Sequence, residues 1–150
     1  MASQAQIDAF LAERRVALLG ASRSGKRFGA TVLRSLIRAG HEARPVHPEA
    51  ETLEGLPCVP SLSALAGQAE TAVLVVPPAQ TLKALEDAAS AGIRRLWLQP
   101  GAESPAVLAR AEELGLEAIH GHCILMFLGE GAWIHRAHRR IEGWLGRLPE

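Results

Sequence analysis

The sequence has few of the features that mark several protein classes. Its two cysteines, Cys58 and Cys123, are too few for a disulfide framework or a cysteine-rich zinc site. Aspartate is present only as Asp8 and Asp87. No apolar run is long enough to cross a membrane, and the first residues lack the pattern of a secretory signal. We therefore expect a cytoplasmic protein without membrane contact, whose two thiols are reduced.

Neither sign of charge is in excess. Lysine and arginine number 16, aspartate and glutamate also number 16, and the net charge is zero. No overall field then favours nucleic acid or an anionic membrane, so any anion site must be local. A chain of 150 residues has about the length of one ordinary domain. We expect residues 1–150 to form a single domain with no separate catalytic domain.

Short apolar runs alternate with longer segments of helical period, which is typical of βαβ units on a parallel sheet. The predicted strands are 15–20, 42–47, 72–76, 94–98 and 117–120. The predicted helices are 3–14, 28–39, 61–66, 79–91 and 105–114. These elements predict a Rossmann-like three-layer α/β fold, with a five-stranded parallel sheet, helices on both faces and a core over 15–128.

Residues at the ends of the predicted helices agree with these boundaries. Ser61 and Ser104 are suitable N-caps, because a serine hydroxyl accepts a hydrogen bond from a free backbone N–H of the first turn. Gly40, Gly92 and Gly115 are suitable where helices end in a left-handed residue. The helix signals and the strand signals therefore predict the same order of elements.

Residues 132–148 show the pattern of an amphipathic helix. Its apolar stripe consists of Trp133, Ala137, Ile141, Trp144, Leu145 and Leu148. Such a helix docks on its own sheet or on a second subunit, with a membrane-surface role as the alternative. We predict a homo-oligomer formed through this helix.

The segment GASRSGKRFG, residues 20–29, lies between the first predicted strand and the first following helix. That turn lies at the carboxyl edge of a parallel sheet, where ligands bind in such folds. A helix N-terminus there stabilises an anion by about 0.3 to 1 kcal/mol. The segment adds glycines for close approach, two serine hydroxyls and three cationic side chains. It predicts a phosphate-bearing ligand, with a solvated turn that binds nothing as the plain alternative.

Two common phosphate-binding motifs fit this segment poorly. The P-loop pattern nearly matches, but Arg27 stands where a hydroxyl would hold Mg²⁺, and Pro77 stands where an acidic residue would follow a strand. The dinucleotide pattern GxGxxG is also broken, and Pro48 replaces the acidic residue after the second strand. Glu49 lies one residue further on, so NAD(P) binding stays open as an alternative.

Five segments follow the five predicted strands: GASRSGKRFG (20–29), PVHPEA (45–50), VVPPAQ (75–80), WLQPGA (97–102) and HCI (122–124). In this order and spacing the sequence resembles the CoA-binding domain family, which includes the N-terminal domain of the succinyl-CoA synthetase α subunit. The resemblance covers 15–128. It implies coenzyme A as the ligand.

The resemblance also implies site residues. The phosphates of CoA would meet Gly20, Ala21, Ser22 and Arg23, with Ser24 and Lys26 nearby. The nucleotide would be walled by Val46, His47 and Pro48. An apolar shelf for adenine or the pantetheine arm would consist of Val76, Pro77 and Pro78. The thiol end would lie near Gln99, Gly101 and Cys123. The family commonly has asparagine and lysine where this sequence has His47 and Glu49, so Lys26 or Arg23 would supply a phosphate contact instead.

Catalytic patterns are scarce. No GxSxG elbow is present, and neither aspartate follows a predicted strand where it could orient a histidine. The histidines around Cys123 have no paired carboxylates to support a metal site. Cys123 is either a small packed residue or the partner of CoA in a mixed disulfide.

The phosphohistidine of the synthetase belongs to a following domain, so the resemblance implies binding without ligase chemistry. We predict a protein that binds CoA or an acyl-CoA and has no catalytic activity of its own, acting as a sensor or a partner subunit. An NAD(P)-binding enzyme or redox sensor is the alternative. No nucleic-acid partner is expected.

Overall fold

A computed structural model describes residues 2–22 and 28–128. Its strands are β1 (Arg15–Leu19), β2 (Glu42–Val46), β3 (Thr52–Leu53), β4 (Leu56–Pro57), β5 (Thr71–Leu74), β6 (Arg95–Leu98) and β7 (Glu117–Ile119). Its α-helices are α1 (Gln4–Ala12), α2 (Phe28–Arg38), α3 (Pro78–Ala91) and α4 (Pro105–Glu113). Five strands form one parallel sheet in the order β2-β1-β5-β6-β7, and β3 pairs with β4 in a short hairpin. The predicted Rossmann-like α/β fold is confirmed.

The first strand, β1, lies inside the sheet, where it pairs with β2 along one edge and with β5 along the other. The chain therefore builds outward from β1 in one direction and then returns to build in the other. The helices that follow β1 and β5 pack on opposite faces of the sheet, which opens a crevice at the carboxyl ends of these two strands. The fold places any ligand site at that edge.

Both faces of the sheet are covered by apolar packing. One face packs against α3, α4 and a short 3₁₀ helix, Leu62–Leu65. The other packs against α1 and α2, and its largest buried side chain is Trp97. The Trp97 ring lies 5.4 Å from the Phe10 ring and 5.6 Å from the Phe127 ring, and its indole N–H donates to the carbonyl of His122 at 2.9 Å. Trp97 thus joins α1, β6 and the segment after β7.

The helix ends largely follow the sequence signals. The Ser104 hydroxyl accepts from the N–H of Val107 at 3.1 Å, as its N-cap position predicts. Gly92 ends α3 in the left-handed conformation with φ of 77°. Ser61 differs, because its hydroxyl bonds to the hydroxyl of Ser63 at 2.6 Å and caps nothing. The predicted helix over 61–66 is accordingly a single 3₁₀ turn, the form that short helical segments commonly take.

The strand predicted over 72–76 ends earlier than expected. Its ladder with β6 stops at Leu74, and Val75 and Val76 continue as a half-buried loop. The cause is the proline pair that follows, since Pro77 caps α3 and Pro78 starts it. Residues 132–148, predicted as an amphipathic helix, lie outside the described residues. No helix in 2–22 and 28–128 combines the length and apolar character needed to span a bilayer.

Candidate functional site

Two glycines bring the end of β1 against the start of α2. Gly20 has φ of +123°, and a Cβ there would lie 2.3 Å from the carbonyl oxygen of Val75. A Cβ on Gly29 would lie 2.2 Å from the carbonyl oxygen of Gly20. Such distances leave no room for any side chain at either position. The glycines therefore hold the N-terminus of α2 directly against the end of β1.

The loop between these glycines carries most of the predicted phosphate contacts. Ala21 is buried and Ser22 is half-buried beside Gly20. Arg23, Ser24 and Lys26 lie outside the described residues. Their place in the chain, directly before α2, remains the basis for predicting that they face an anion.

A first cleft of about 430 Å³ lies between the loops that follow β5 and β6. Its lining consists of Phe28, Val75, Val76, Pro77, Gln99, Pro100, Gly101 and Ala102. Four predicted site residues meet here, whereas Pro78 is absent from the lining. Phe28 was missed by sequence reasoning, and 48% of its surface is exposed at the mouth of the cleft. An exposed phenylalanine that starts the helix after a glycine-rich loop is the signal that could have identified it.

A second cleft, of about 230 Å³, lies beside the ends of β1 and β2. Its lining consists of Leu19, Val46, Pro48, Pro60, Ser61, Leu62, Gln80, Lys83, Ala84 and Asp87. The structure thus brings the predicted residues Val46 and Pro48 against α3. The α3 residues were missed, although positions 80, 83, 84 and 87 share one helix face by their spacing. Lys83 and Asp87 give this cleft a charge of each sign.

Gln99 is a brace between two strand ends. Its side chain is buried, its Oε1 accepts from the backbone N–H of Ile124 at 2.7 Å, and its Nε2 donates to Sγ of Cys123 at 3.3 Å. The backbone donor decides which way the amide points, because only the carbonyl oxygen accepts. Gln99 and Cys123, both predicted near the thiol end of CoA, are therefore neighbours.

His47 holds the turn that follows β2. Its Nδ1 accepts from the backbone N–H groups of Glu49 at 3.0 Å and Ala50 at 2.9 Å. The backbone N–H of His47 donates to the carbonyl of Val59 at 3.0 Å. The side-chain oxygen of asparagine commonly accepts from the backbone two residues on. His47 thus takes the structural role of the asparagine that the family resemblance suggests here.

The thiols and histidines of the described part of the chain do not form a metal site. Cys58 and Cys123 are both free and half-buried. Burial raises the pKa of the Cys58 thiol, so it stays protonated at neutral pH. Within 2–22 and 28–128, no three side chains of His, Cys, Asp or Glu lie close enough together to hold a metal ion.

This chain is similar to one part of some much longer enzymes and to nearly the whole of a protein of comparable length. The ADP-forming acetate–CoA ligase I of Archaeoglobus fulgidus is 25% identical over 143 residues, which cover 89% of this chain and 21% of the ligase. This chain therefore spans about a fifth of that curated relative. A dinucleotide-forming acetyl-coenzyme A synthetase 1 from Candidatus Korarchaeum cryptofilum is 27% identical with a TM-score of 0.62, covering 70% of this chain and 25% of the synthetase.

A solved structure of comparable length is also similar. A conserved hypothetical protein from Pyrococcus furiosus is 38% identical with a TM-score of 0.72, and the match covers 75% of this chain and 97% of that protein. The family model described as CoA binding domain matches residues 14–129, which include all five strands of the parallel sheet and both clefts. The chain belongs to the CoA binding domain family.

Proposed function

We propose that this chain binds coenzyme A or an acyl-CoA across the carboxyl edge of its sheet and catalyses no reaction by itself. The observation that carries the proposal is the contact between Gly20 and Gly29, which places the start of α2 among the loops that form the two clefts. Coenzyme A is a long ligand with a nucleotide at one end and an apolar arm at the other. A phosphate site with a cleft for each end suits that shape.

The phosphate part of the fit depends on α2. The first N–H groups of a helix have no partner within the helix, and its dipole favours an anion. Gly20 and Gly29 let the ligand approach the backbone here, because neither carries a side chain. Arg23 and Lys26 precede the helix and supply positive charge. We propose that these residues hold the phosphates.

The two clefts differ in chemistry, which supports assigning one end of the ligand to each. The first is lined mainly by apolar groups, including Val76, Pro77 and the exposed ring of Phe28, and suits the pantetheine arm. The second adds Lys83 and Asp87 beside Val46 and Pro48 and suits the adenosine. Coenzyme A supplies a thiol that carries acyl groups, and Gln99, Gly101 and Cys123 would surround its end.

We propose binding without catalysis for this chain. Sγ of Cys123 is hydrogen-bonded to the amide of Gln99, and in 2–22 and 28–128 neither cysteine is hydrogen-bonded to an imidazole that could act as its base. The ligase and synthetase contain a region like this chain as about a fifth to a quarter of their length, and their activities are their own. We propose one domain over 1–150 that acts in the cytoplasm as a CoA sensor or a partner subunit.

The experiment is a comparison of ligands by thermal unfolding. At a concentration about a hundredfold above the dissociation constant, CoA should stabilise the fold by about 2.7 kcal/mol and raise the Tm by about 5 to 10 °C. NAD, NADP and ATP at equal concentration should raise it less. A larger shift with NAD or NADP, and none with CoA, would replace this proposal with a dinucleotide-binding one.

A double variant tests the phosphate site. Arg23→Ala with Lys26→Ala should weaken CoA binding at least tenfold, because each charge-assisted hydrogen bond contributes about 1.5 to 3 kcal/mol. Arg14→Ala with Arg94→Ala removes the same charge from exposed positions at the amino edge and should leave affinity within about twofold. Equal losses in the two double variants would indicate a general charge effect and no phosphate site in the loop.

Self-association through residues 132–148 is part of the proposal. The apolar stripe of this segment gives a second copy a surface to pack on. Light scattering of the full chain should give a dimer or larger, and Trp133→Glu with Trp144→Glu should shift it to a monomer. A monomeric full chain would contradict self-association and would indicate that this segment packs on the sheet of its own chain.

A further inference from the structure

The imidazole of His47 is present as one tautomer. Nδ1 accepts two backbone N–H groups, those of Glu49 and Ala50, so it carries no hydrogen. The hydrogen of the neutral ring must then lie on Nε2. Among the described residues nothing hydrogen-bonds to Nε2, and the side chain is half-buried. His47 therefore offers one N–H donor from a ring whose other nitrogen holds the turn.

His47 lies beside the second cleft along the chain. It follows Val46, the last residue of β2, and precedes Pro48, and these two neighbours line that cleft. The ribose of CoA carries a hydroxyl and a phosphate, and both are acceptors. We infer that His47 binds the ribose end of the ligand as a neutral imidazole that donates from Nε2, and that acid weakens binding by breaking the turn. This inference rests on the proposed CoA binding.

The sign of the pH effect distinguishes this arrangement from an ordinary contact between histidine and phosphate. Histidine changes charge between about pH 5 and pH 8. A histidine free to rotate becomes a cation in acid and binds a phosphate more tightly. Here the added proton would go to Nδ1. A protonated Nδ1 could no longer accept from the two backbone N–H groups and would point its hydrogen at them. Ligand affinity should then fall as the pH falls.

The effects of other charges must be separated from that of His47. The charged and titratable groups of the neighbouring described segments are Glu49, Glu51 and Glu54 before β4, Arg34 on α2, Cys58 after β4, and Lys83 and Asp87 on α3. Arg23, Lys26 and Arg27 precede α2 in the sequence. Arg34 pairs with Glu54 at 3.3 Å. A variant that removes only the imidazole leaves all of these charges in place.

The test compares His47→Asn with the unaltered chain. An asparagine oxygen accepts from the turn at every pH, and its NH₂ group still donates to the ligand. Between about pH 8 and about pH 5.5, the unaltered chain should lose about tenfold more CoA affinity by calorimetry than His47→Asn loses. His120→Asn removes a histidine after β7 and should follow the unaltered chain. The CoA phosphate also titrates near about pH 6, but it affects every variant alike.

Two results in this comparison would overturn the inference. One is acid strengthening the binding of the unaltered chain relative to His47→Asn, because that is the behaviour of an imidazolium on phosphate. The other is the same pH profile for both proteins. Dephospho-CoA separates the two acceptors. If the difference in pH dependence between the two proteins persists with dephospho-CoA, His47 donates to a ribose hydroxyl. If the difference disappears, His47 donates to the phosphate. Both results support the inference.

A measurement on the unaltered chain without ligand tests the turn alone. The amides of Glu49 and Ala50 should be protected at neutral pH, and their protection relative to the intrinsic exchange rate at each pH should fall in acid, while the backbone N–H of His47 stays protected. Unchanged protection in acid would overturn the role of Nδ1. A chain that binds no CoA at any pH would overturn the proposed function and the role of Nε2, while the exchange result would still decide the turn.

Discussion

The two edges of the sheet are built from different interactions. At the amino edge, Arg15 pairs with Glu70, and Arg95 lies 3.3 Å from Glu117 and 3.7 Å from Glu13, all through side chains that are 34 to 41% exposed. At the carboxyl edge, the glycine backbone touches neighbouring backbone, and clefts open beside it. Solvated charges tolerate replacement, whereas backbone contacts do not. We therefore expect substitutions at the carboxyl edge to have much the larger effects.

The largest effect should come from Gly20→Ala. The new Cβ would overlap the carbonyl of Val75 and would require a left-handed backbone, so the free energy of unfolding should fall by about 3 to 5 kcal/mol. Urea unfolding measures the loss. Gly92→Ala is the matched control, since its φ is +77° with open space around it, and it should cost only about 1 to 2 kcal/mol. Equal losses of stability in the two variants would show that Val75 shifts easily to make room for the new Cβ.

Gln99→Ala should have the next largest effect. It leaves the N–H of Ile124 without its acceptor and opens space between β6 and the segment after β7, so stability should fall by about 1 to 3 kcal/mol. Gln68→Ala is the control, because that side chain is exposed, and its cost should stay within about 0.5 kcal/mol. If Gln99→Ala were as stable as the control, the hydrogen bonds of Gln99 would not be what holds the segment after β7 against β6.

Phe28→Ala should separate function from stability at the carboxyl edge. The ring is 48% exposed, so its loss should change stability little, yet CoA affinity should fall about fivefold as apolar contact with the ligand is lost. Ile37→Ala provides the comparison at the other end of α2, where the side chain is 38% exposed and far along the helix from both clefts. An affinity loss in Ile37→Ala as large as in Phe28→Ala would remove the first cleft from the site.

The smallest effect should come from the amino edge. Glu70→Gln removes the partner of Arg15, but both side chains are about two-fifths exposed, so the loss should be about 0.2 to 1 kcal/mol. High salt should reduce the difference further, because it screens exposed pairs. Chemical unfolding at low and high salt measures both. A loss comparable to that of Gly20→Ala would invalidate the contrast between the two edges.

The fold was predictable because local signals and the sheet pattern agreed along the chain. Apolar runs located each strand of the main sheet, and Ser104 and Gly92 lay at helix ends as their residue types predict. The sequence did not predict the hairpin of β3 and β4, since two-residue strands carry too little periodicity. It also extended β5 through Val75 and Val76, because apolar residues look the same in a strand and in the wall of a cleft.

The site was partly predictable for a similar reason. Strand ends are found from sequence, so residues such as Val46, Pro77 and Gln99 were identified where loops leave the sheet. Residues contributed by helices, such as Lys83, depend on how α3 packs beside β1 and β2 and were missed. The tautomer of His47 was also beyond reach, because it follows from two backbone N–H groups that only the folded turn brings together.

The position of β1 between β2 and β5 has a consequence for folding. One edge of β1 is completed by residues 42–46, but its other edge pairs with residues 71–74, across a much longer stretch of chain. Contacts so distant in sequence form slowly, because the loop must close before the strand pairs. During synthesis, a strand edge of β1 therefore stays exposed until β5 has been made. In this interval the nascent chain is most open to pairing with another copy, and a chaperone that covers unpaired strands would have its greatest effect then.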